Sequence, residues 1–306
     1  MLGWLPPGGR VFEIRSGDHR AVVSESGATL RSYDVGDRPV VEAFDGPETP
    51  VVGCQGELLA PWPNRVVDGR WTWRGTAYQL SLTEPDLGHA LHGLVRTLPW
   101  RVVAHEGGRI DLETLLLAHP GWPFPMRLHA WYAVGPDGLT SALTATNAGR
   151  DDCPYGAAAH PYFAIPGGSV DDVVLDVRAA TWLATDDRLA PAGRRSTDGS
   201  PFAFRAGEPV GTRVADTAYT DLERGPDGRV EATMTAPDGH TTVLWGDESV
   251  RWWQLYTGDT LPERWLRRTL ALEPMTCAPD ALNSGDDLVV LAPGEAHTMT
   301  WGIRLR

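Results

Sequence analysis

The chain is short of positive charge, of cysteine and of long apolar runs. Its 27 basic residues face 40 acidic ones, for a formal charge of −13. An acidic chain lacks the clustered cations that nucleic acid or an anionic membrane surface requires, so neither is an expected partner. The three cysteines, Cys54, Cys153 and Cys277, are far apart with no CxxC pair. That excludes a disulfide framework and a cysteine zinc site, and reduced thiols are expected. No apolar run approaches the roughly 20 residues of a membrane span, and the start MLGWLPPGGR has no secretory pattern. A cytoplasmic location is the expectation. Also missing are the phosphate loop, the nucleophile elbow, the H-E-x-x-H helix and the dinucleotide turn. Nucleotide chemistry and metalloprotease chemistry therefore have no motif to rest on.

What the chain does contain is turn chemistry and strand-like alternation. At 306 residues it is long enough for a large core, and big β-sandwiches of this size fold as one unit, so a single domain over 1–306 is expected. Asp-Gly pairs at Asp68, Asp137, Asp198, Asp227 and Asp238 predict hairpin turns. Period-two alternation predicts strands in Arg70–Trp73, Arg109–Leu117, Arg127–Val134 and Val243–Tyr256. Helical periodicity, internal repeats and low-complexity stretches are lacking. The 13 tryptophans are expected mainly to fill sheet cores. The predicted architecture is all-β, a large antiparallel sandwich.

Five polar residues stand in contexts that invite chemistry. Arg65 follows the rigid Pro61-Trp62-Pro63-Asn64, where a fixed guanidinium fork would suit sugar hydroxyls, although a surface arginine is an equal alternative. His92 sits in Leu91-His92-Gly93, beside a glycine that permits close approach, with His89 three residues earlier. A metal-binding pair is conceivable there, but a structural histidine is the commoner outcome. His160 lies between Gly156-Ala157-Ala158-Ala159 and Pro161-Tyr162-Phe163, a setting that can tune an imidazole for proton transfer. Glu273 interrupts the apolar Leu270-Ala271-Leu272, and a buried acid implies function or an ion pair. Asp216 could bind hydroxyls or form a turn.

In these segments the chain resembles the aldose 1-epimerase (galactose mutarotase) family. Pro61-Trp62-Pro63-Asn64-Arg65-Val66 with Asp68-Gly69 is similar to that family's N-R-[IV]-x-x-G, Leu91-His92-Gly93 to its L-H-G and His160-Pro161-Tyr162-Phe163 to its H-x-Y-F. Asp216-Thr217-Ala218-Tyr219, Leu272-Glu273-Pro274 through Asn283, and Pro293-Gly294-Glu295 follow in the family's order. The resemblance implies the galactose mutarotase-like supersandwich and interconversion of the anomers of a free aldose. It implies Glu273 as general base, His160 as general acid, and Arg65, His92 and Asp216 as sugar ligands. It implies no cofactor and no metal, a hexose or modified hexose as small-molecule partner, and a monomer or homodimer. Ala164 and Leu94 depart from the common pattern, where many members carry Asn and a second Gly, and these departures bear on the substrate. APWPNR with LEPMTCAPDALN resembles a bacterial subgroup of varied substrates, including sulfoquinovose mutarotases, more than it does the dedicated galactose enzymes.

Mutarotation needs a proton taken from the anomeric hydroxyl and one given to the ring oxygen, so that the ring opens, C1–C2 rotates and the ring recloses. Glu273 and His160 are expected on opposite sides of the C1–O5 bond. Trp62 and Tyr162, near the motifs, are candidates to cover the apolar sugar face, with burial in the core the commoner outcome for each. Competing readings are a glycoside hydrolase using Asp216 and Glu273, a noncatalytic carbohydrate-binding sandwich, and a metal site built from His92, His160, Asp216 and Glu273.

Overall fold

The computed structural model describes residues 6–306 apart from 43, 47, 48, 50 and 206. The first residues of MLGWLPPGGR, Met1–Leu5, lie outside the described residues. Antiparallel strands make up two large sheets. The larger has twelve strands, running in space through Val11–Ser16, His19–Ser24, Leu30–Val35, Arg38–Val41, Tyr162–Ala164, Thr269–Met275, Trp252–Tyr256, Asp216–Leu222, Ala179–Thr185 and Pro191–Ser196. Short strands Leu58–Leu59 and Ala158–Ala159 attach to its middle. The second sheet has eight, in the order Arg101–Glu106, Arg109–Leu116, Met126–Gly135, Gly138–Asn147, Ala296–Leu305, Thr241–Gly246, Val230–Thr235 and Val174–Val177. No helix among the described residues is long and apolar enough to cross a membrane.

Alternation decides which side of each sheet is dry. In Met126–Gly135, Leu128, Ala130 and Tyr132 are fully buried while Arg127 is exposed. From the larger sheet Trp253, Leu255, Leu270 and Leu272 join the same apolar cluster as Leu128, Leu143, Trp301 and Ile303 of the smaller. The two inner faces thus meet in one core, as a sandwich requires. Trp100, Trp122, Trp252, Trp253 and Trp301 are among the largest fully buried side chains, the last three on strands and the first two on connecting segments.

The hairpin expectation holds at Asp137, between Met126–Gly135 and Gly138–Asn147, and at Asp238, between Val230–Thr235 and Thr241–Gly246. It fails elsewhere. Asp68 and Gly69 both have positive φ, but they lie in a 3-10 turn that joins Arg65–Val66 to Arg70–Trp73, strands that pair with other partners. Asp198 follows Pro191–Ser196 without a returning strand, and Asp227 closes only a small bridge between Arg224 and Val230. Turn chemistry reports a reversal, not which strands it joins.

Val243–Tyr256 is likewise two strands in different sheets, Thr241–Gly246 and Trp252–Tyr256. Asp247 makes the corner: its Oδ1 accepts from the Ser249 backbone N–H at 3.0 Å and its Oδ2 from Thr300 N–H at 3.1 Å. This is the Asx geometry that competes with strand continuation.

Candidate active site

With one face of Thr269–Met275 committed to the core, residues 271, 273 and 275 point the other way. Register then assembles the site. Ala158 pairs with Met275 and Tyr162 with Ala271, which sets His160 opposite Glu273, and Gln254 faces Glu273 from the other neighbouring strand. Asp216 pairs with Tyr256, which pairs with Ala271, so Tyr162, Tyr256 and Asp216 lie one row further along the same face. A pocket of about 310 Å³ opens here, lined by Glu273, His160, Tyr162, Tyr256 and Asp216 and by Arg65, His92, Asn64, Cys54 and Leu261 among others. That volume suits one monosaccharide ring, at the small end of ligand sites. All five residues singled out in the sequence line it.

His160 Nε2 stands 3.3 Å from Glu273 Oε1, and the side chains are 6 % and 2 % exposed. Burial pushes the Glu273 carboxyl well above the ordinary range, Asp216 reinforces the shift and Arg65 opposes it. Burial lowers the His160 imidazole to about 3, against a smaller opposing hydrogen-bond contribution at its own backbone. Both directions favour the uncharged couple, one proton resting on Glu273 beside a neutral imidazole. The His160 ring is held by stacking on Tyr162, with centroids 5.1 Å apart and 12° between planes, and by an edge contact with His92 at 5.2 Å. Its backbone is fixed by the 53–57 loop: His160 N–H donates to Glu57 O at 3.0 Å and Gly56 N–H to His160 O at 2.8 Å. Gly56 has φ +69°, and a Cβ there would lie 1.8 Å from Leu30 O, so only glycine fits.

Arg65 and His92 come from a second layer, the two-stranded ribbon of Arg65–Val66 with Ala90–Leu91. Asn64 and His92 both adopt positive φ, 52° and 61°. His92 N–H donates to Asn64 O at 2.9 Å, and Asn64 N–H donates to His92 Nδ1 at 3.2 Å. Nδ1 must therefore be the acceptor, leaving the proton on Nε2. Burial, then the fields of His160 and Arg65, hold His92 well below its usual pKa. Gly93 makes the turn: φ is +71° and a Cβ would sit 2.1 Å from Ala60 O.

The Arg65 guanidinium is buried and bound. Nε and Nη2 donate to Glu84 at 2.8 and 2.9 Å, and Nη2 reaches Asp216 at 3.4 Å. Burial opposes its charge, but these carboxylates outweigh burial and raise its pKa. Asp216, 27 % exposed, also accepts from Gln254 Nε2. Burial raises its pKa while Arg65 and Gln254 pull it down.

Several residues of this site were not legible in the sequence. Gln254 could have been found, since Trp252, Gln254 and Tyr256 alternate with the core residues Trp253 and Leu255. Glu84 lies in a loop with no local signal. Trp62 takes the core alternative, packing on Trp122 at 5.7 Å and not lining the pocket, whereas Tyr162 does line the pocket. His89 is structural, its Nδ1 accepting from Asp68 N–H at 3.3 Å and its Nε2 lying 2.8 Å from Arg188 O. Among the described residues no group of three or more His, Cys, Asp or Glu converges as a metal site would. Ala164 and Leu94 are absent from the residues lining the pocket.

The family profile for aldose 1-epimerase matches residues 10–304. The chain belongs to the aldose 1-epimerase family. Within it, the chain is 28 % identical over 296 residues to the uncharacterized protein YihR of Escherichia coli (strain K12), covering 96 % of this chain and 93 % of YihR. Its fold is similar to that of a GalM/aldose epimerase homologue from C. elegans, with TM-score 0.85, 18 % identity, and 97 % and 98 % of the two chains covered. It is also similar to a putative aldose 1-epimerase from E. coli K12, with TM-score 0.83, 21 % identity and 97 % and 99 % coverage. Members of an aldose epimerase family act on sugars as isomerases, and the antiparallel sandwich is the fold of these structural neighbours.

Proposed function

We propose that this chain is a mutarotase, interconverting the α and β anomers of a free aldose by ring opening and reclosure. The observation that carries the reading is the His160–Glu273 contact, 3.3 Å between two buried titratable groups at the wall of a sugar-sized pocket. The two groups are in contact with each other, and the chemistry accommodates this. The anomeric hydroxyl oxygen and the ring oxygen are bonded to the same carbon, so two neighbouring groups can serve as base for one and acid for the other.

The couple carries one proton. Its transfer from Glu273 to His160 gives the carboxylate and imidazolium that act on the sugar: Glu273 takes the proton of the C1 hydroxyl while His160 protonates O5, and the C1–O5 bond breaks to the aldehyde. After rotation about C1–C2 the C5 hydroxyl adds back to the other face, His160 receives its proton and Glu273 returns one to the new anomeric oxygen. No net proton is exchanged and no redox step or cofactor is needed. Arg65, Asp216 and the Nε2–H of His92 are the donors and acceptors for the remaining hydroxyls, and charged partners give the stronger bonds. These bonds hold the open-chain intermediate in place until the ring recloses.

The test is the rate at which freshly dissolved α-glucose and α-galactose approach anomeric equilibrium, by polarimetry or exchange NMR. A catalytic amount of protein should accelerate it. Absence of acceleration for any aldose, by a folded protein that binds sugar, would turn the assignment to a binding module, and release of reducing sugar from a glycoside would turn it to a hydrolase.

A further inference from the structure

The chain contains no lysine, so arginine supplies its side-chain cations. Among the described residues that line the pocket, Arg65 is the one cationic side chain. Its charge is already matched twice, by the two-pronged contact with Glu84 and by Asp216 at 3.4 Å. Arginines near the pocket are spoken for as well: Arg96 holds Glu57 at 3.3 Å and Arg267 holds Asp259 at 2.7 Å. One guanidinium against two carboxylates leaves the sugar site with an excess of negative charge.

Glu84 is not among the residues that line the pocket and touches it through Arg65, so its work is done through Arg65. Its loop is anchored by Arg188 from a distant hairpin, whose Nε donates to Leu87 O at 3.0 Å, and by a backbone bridge to His89. The carboxylate is thereby fixed before any ligand arrives. We propose that Glu84 is a specificity-determining residue: by occupying two donors of Arg65 and cancelling its charge, it makes this pocket select neutral aldoses and reject sugars bearing a carboxylate, sulfonate or phosphate. The inference rests on the mutarotase reading for its turnover assay and on the charge distribution for its direction. It runs against the substrate that the motif resemblance suggested, since a sulfonated hexose brings an anion into a site with no free cation among the described residues.

The experiment compares glucose and galactose with glucuronate and sulfoquinovose, for wild type and Glu84→Gln, in anomer-exchange rate and in binding measured by calorimetry at the same ionic strength. Wild type should favour the neutral sugars by at least about tenfold in kcat/KM and in Kd. Glu84→Gln removes one charge at unchanged volume and should shrink that preference by about tenfold, through a gain on the anionic sugars and a KM loss on the neutral ones, as expected for one unit charge removed a few ångströms away. A merely structural role for Glu84 would lower all four sugars together. Equal or better use of the anionic sugars by wild type overturns the inference, whether or not the variant folds. So does an unchanged ratio in a folded variant. Failure of the mutarotase reading looks different: sugars bind with the neutral preference but none is turned over.

Discussion

Replacing Glu273 by Gln keeps side-chain volume and a hydrogen bond to His160 while removing the group that takes the anomeric proton. A positioned proton transfer contributes roughly 10²–10⁴-fold in rate, so kcat should fall by that factor, about 3–5 kcal/mol of lost transition-state stabilisation at 1.36 kcal/mol per decade. Stability should move the other way. The folded pKa of Glu273 is raised well above its ordinary value of 4.5 by burial. From 4.5 up to the folded value the native protein therefore holds a proton that the unfolded chain releases. Wild-type stability then falls with rising pH across that window, by up to about 1.4 kcal/mol per pH unit. Gln has no proton to hold, so the variant's melting temperature relative to wild type should climb from pH 5 to pH 8. The assay pairs saturation-transfer NMR of α-glucose with thermal melts at those two pH values. A variant that loses activity and melts lower at both would make Glu273 a structural ion-pair residue, and one that keeps near-wild-type kcat would refute the proton-transfer role outright.

Because the neutral His160 titrates near 3 rather than at its usual 6.5, the protein should lose stability as pH falls from about 6.5 towards 3, and His160→Gln should flatten that loss in acid melts. The acid limb of kcat/KM for glucose should correspondingly lie well below 6.5; a limb centred at 6.5 would indicate a solvated imidazole instead. Arg65→Lys cannot keep the two-pronged contact with Glu84 and the reach to Asp216 together, and charge-assisted bonds of about 1.5–3 kcal/mol imply a KM rise of roughly 10- to 150-fold with a smaller change in kcat. Gly93→Ala places a Cβ 2.1 Å from Ala60 O at φ +71°; the left-handed backbone alone costs about 1–2 kcal/mol, so a lowered melting point and a larger loss of sugar affinity are expected, and an unchanged melt would mean that the turn is not as tight as the structure has it.

The sequence by itself determined the class and the cast. Period-two alternation and Asp-Gly turns are local properties of the chain, written in neighbouring residues, so strands such as Arg70–Trp73 and Met126–Gly135 were legible without any contact being known. Glu273 inside Leu270-Ala271-Leu272 betrayed itself in the same way, as a charge where burial was expected. What the tertiary structure alone decided are relations between distant residues. His160 and Glu273 are 113 positions apart, and only the shared register of Tyr162–Ala164 and Thr269–Met275 sets them in contact. The split of Val243–Tyr256 between two sheets depended on where each half could bury its apolar side. Trp62 went to the core because Trp122 was there to pack against. Glu84 lies 19 residues from Arg65 in a loop with no periodicity, and its pairing arises only once the ribbon and the Arg188 hairpin are folded around it. Local pattern is set by backbone geometry, whereas charge pairing and register are chosen by the packing of the whole sandwich.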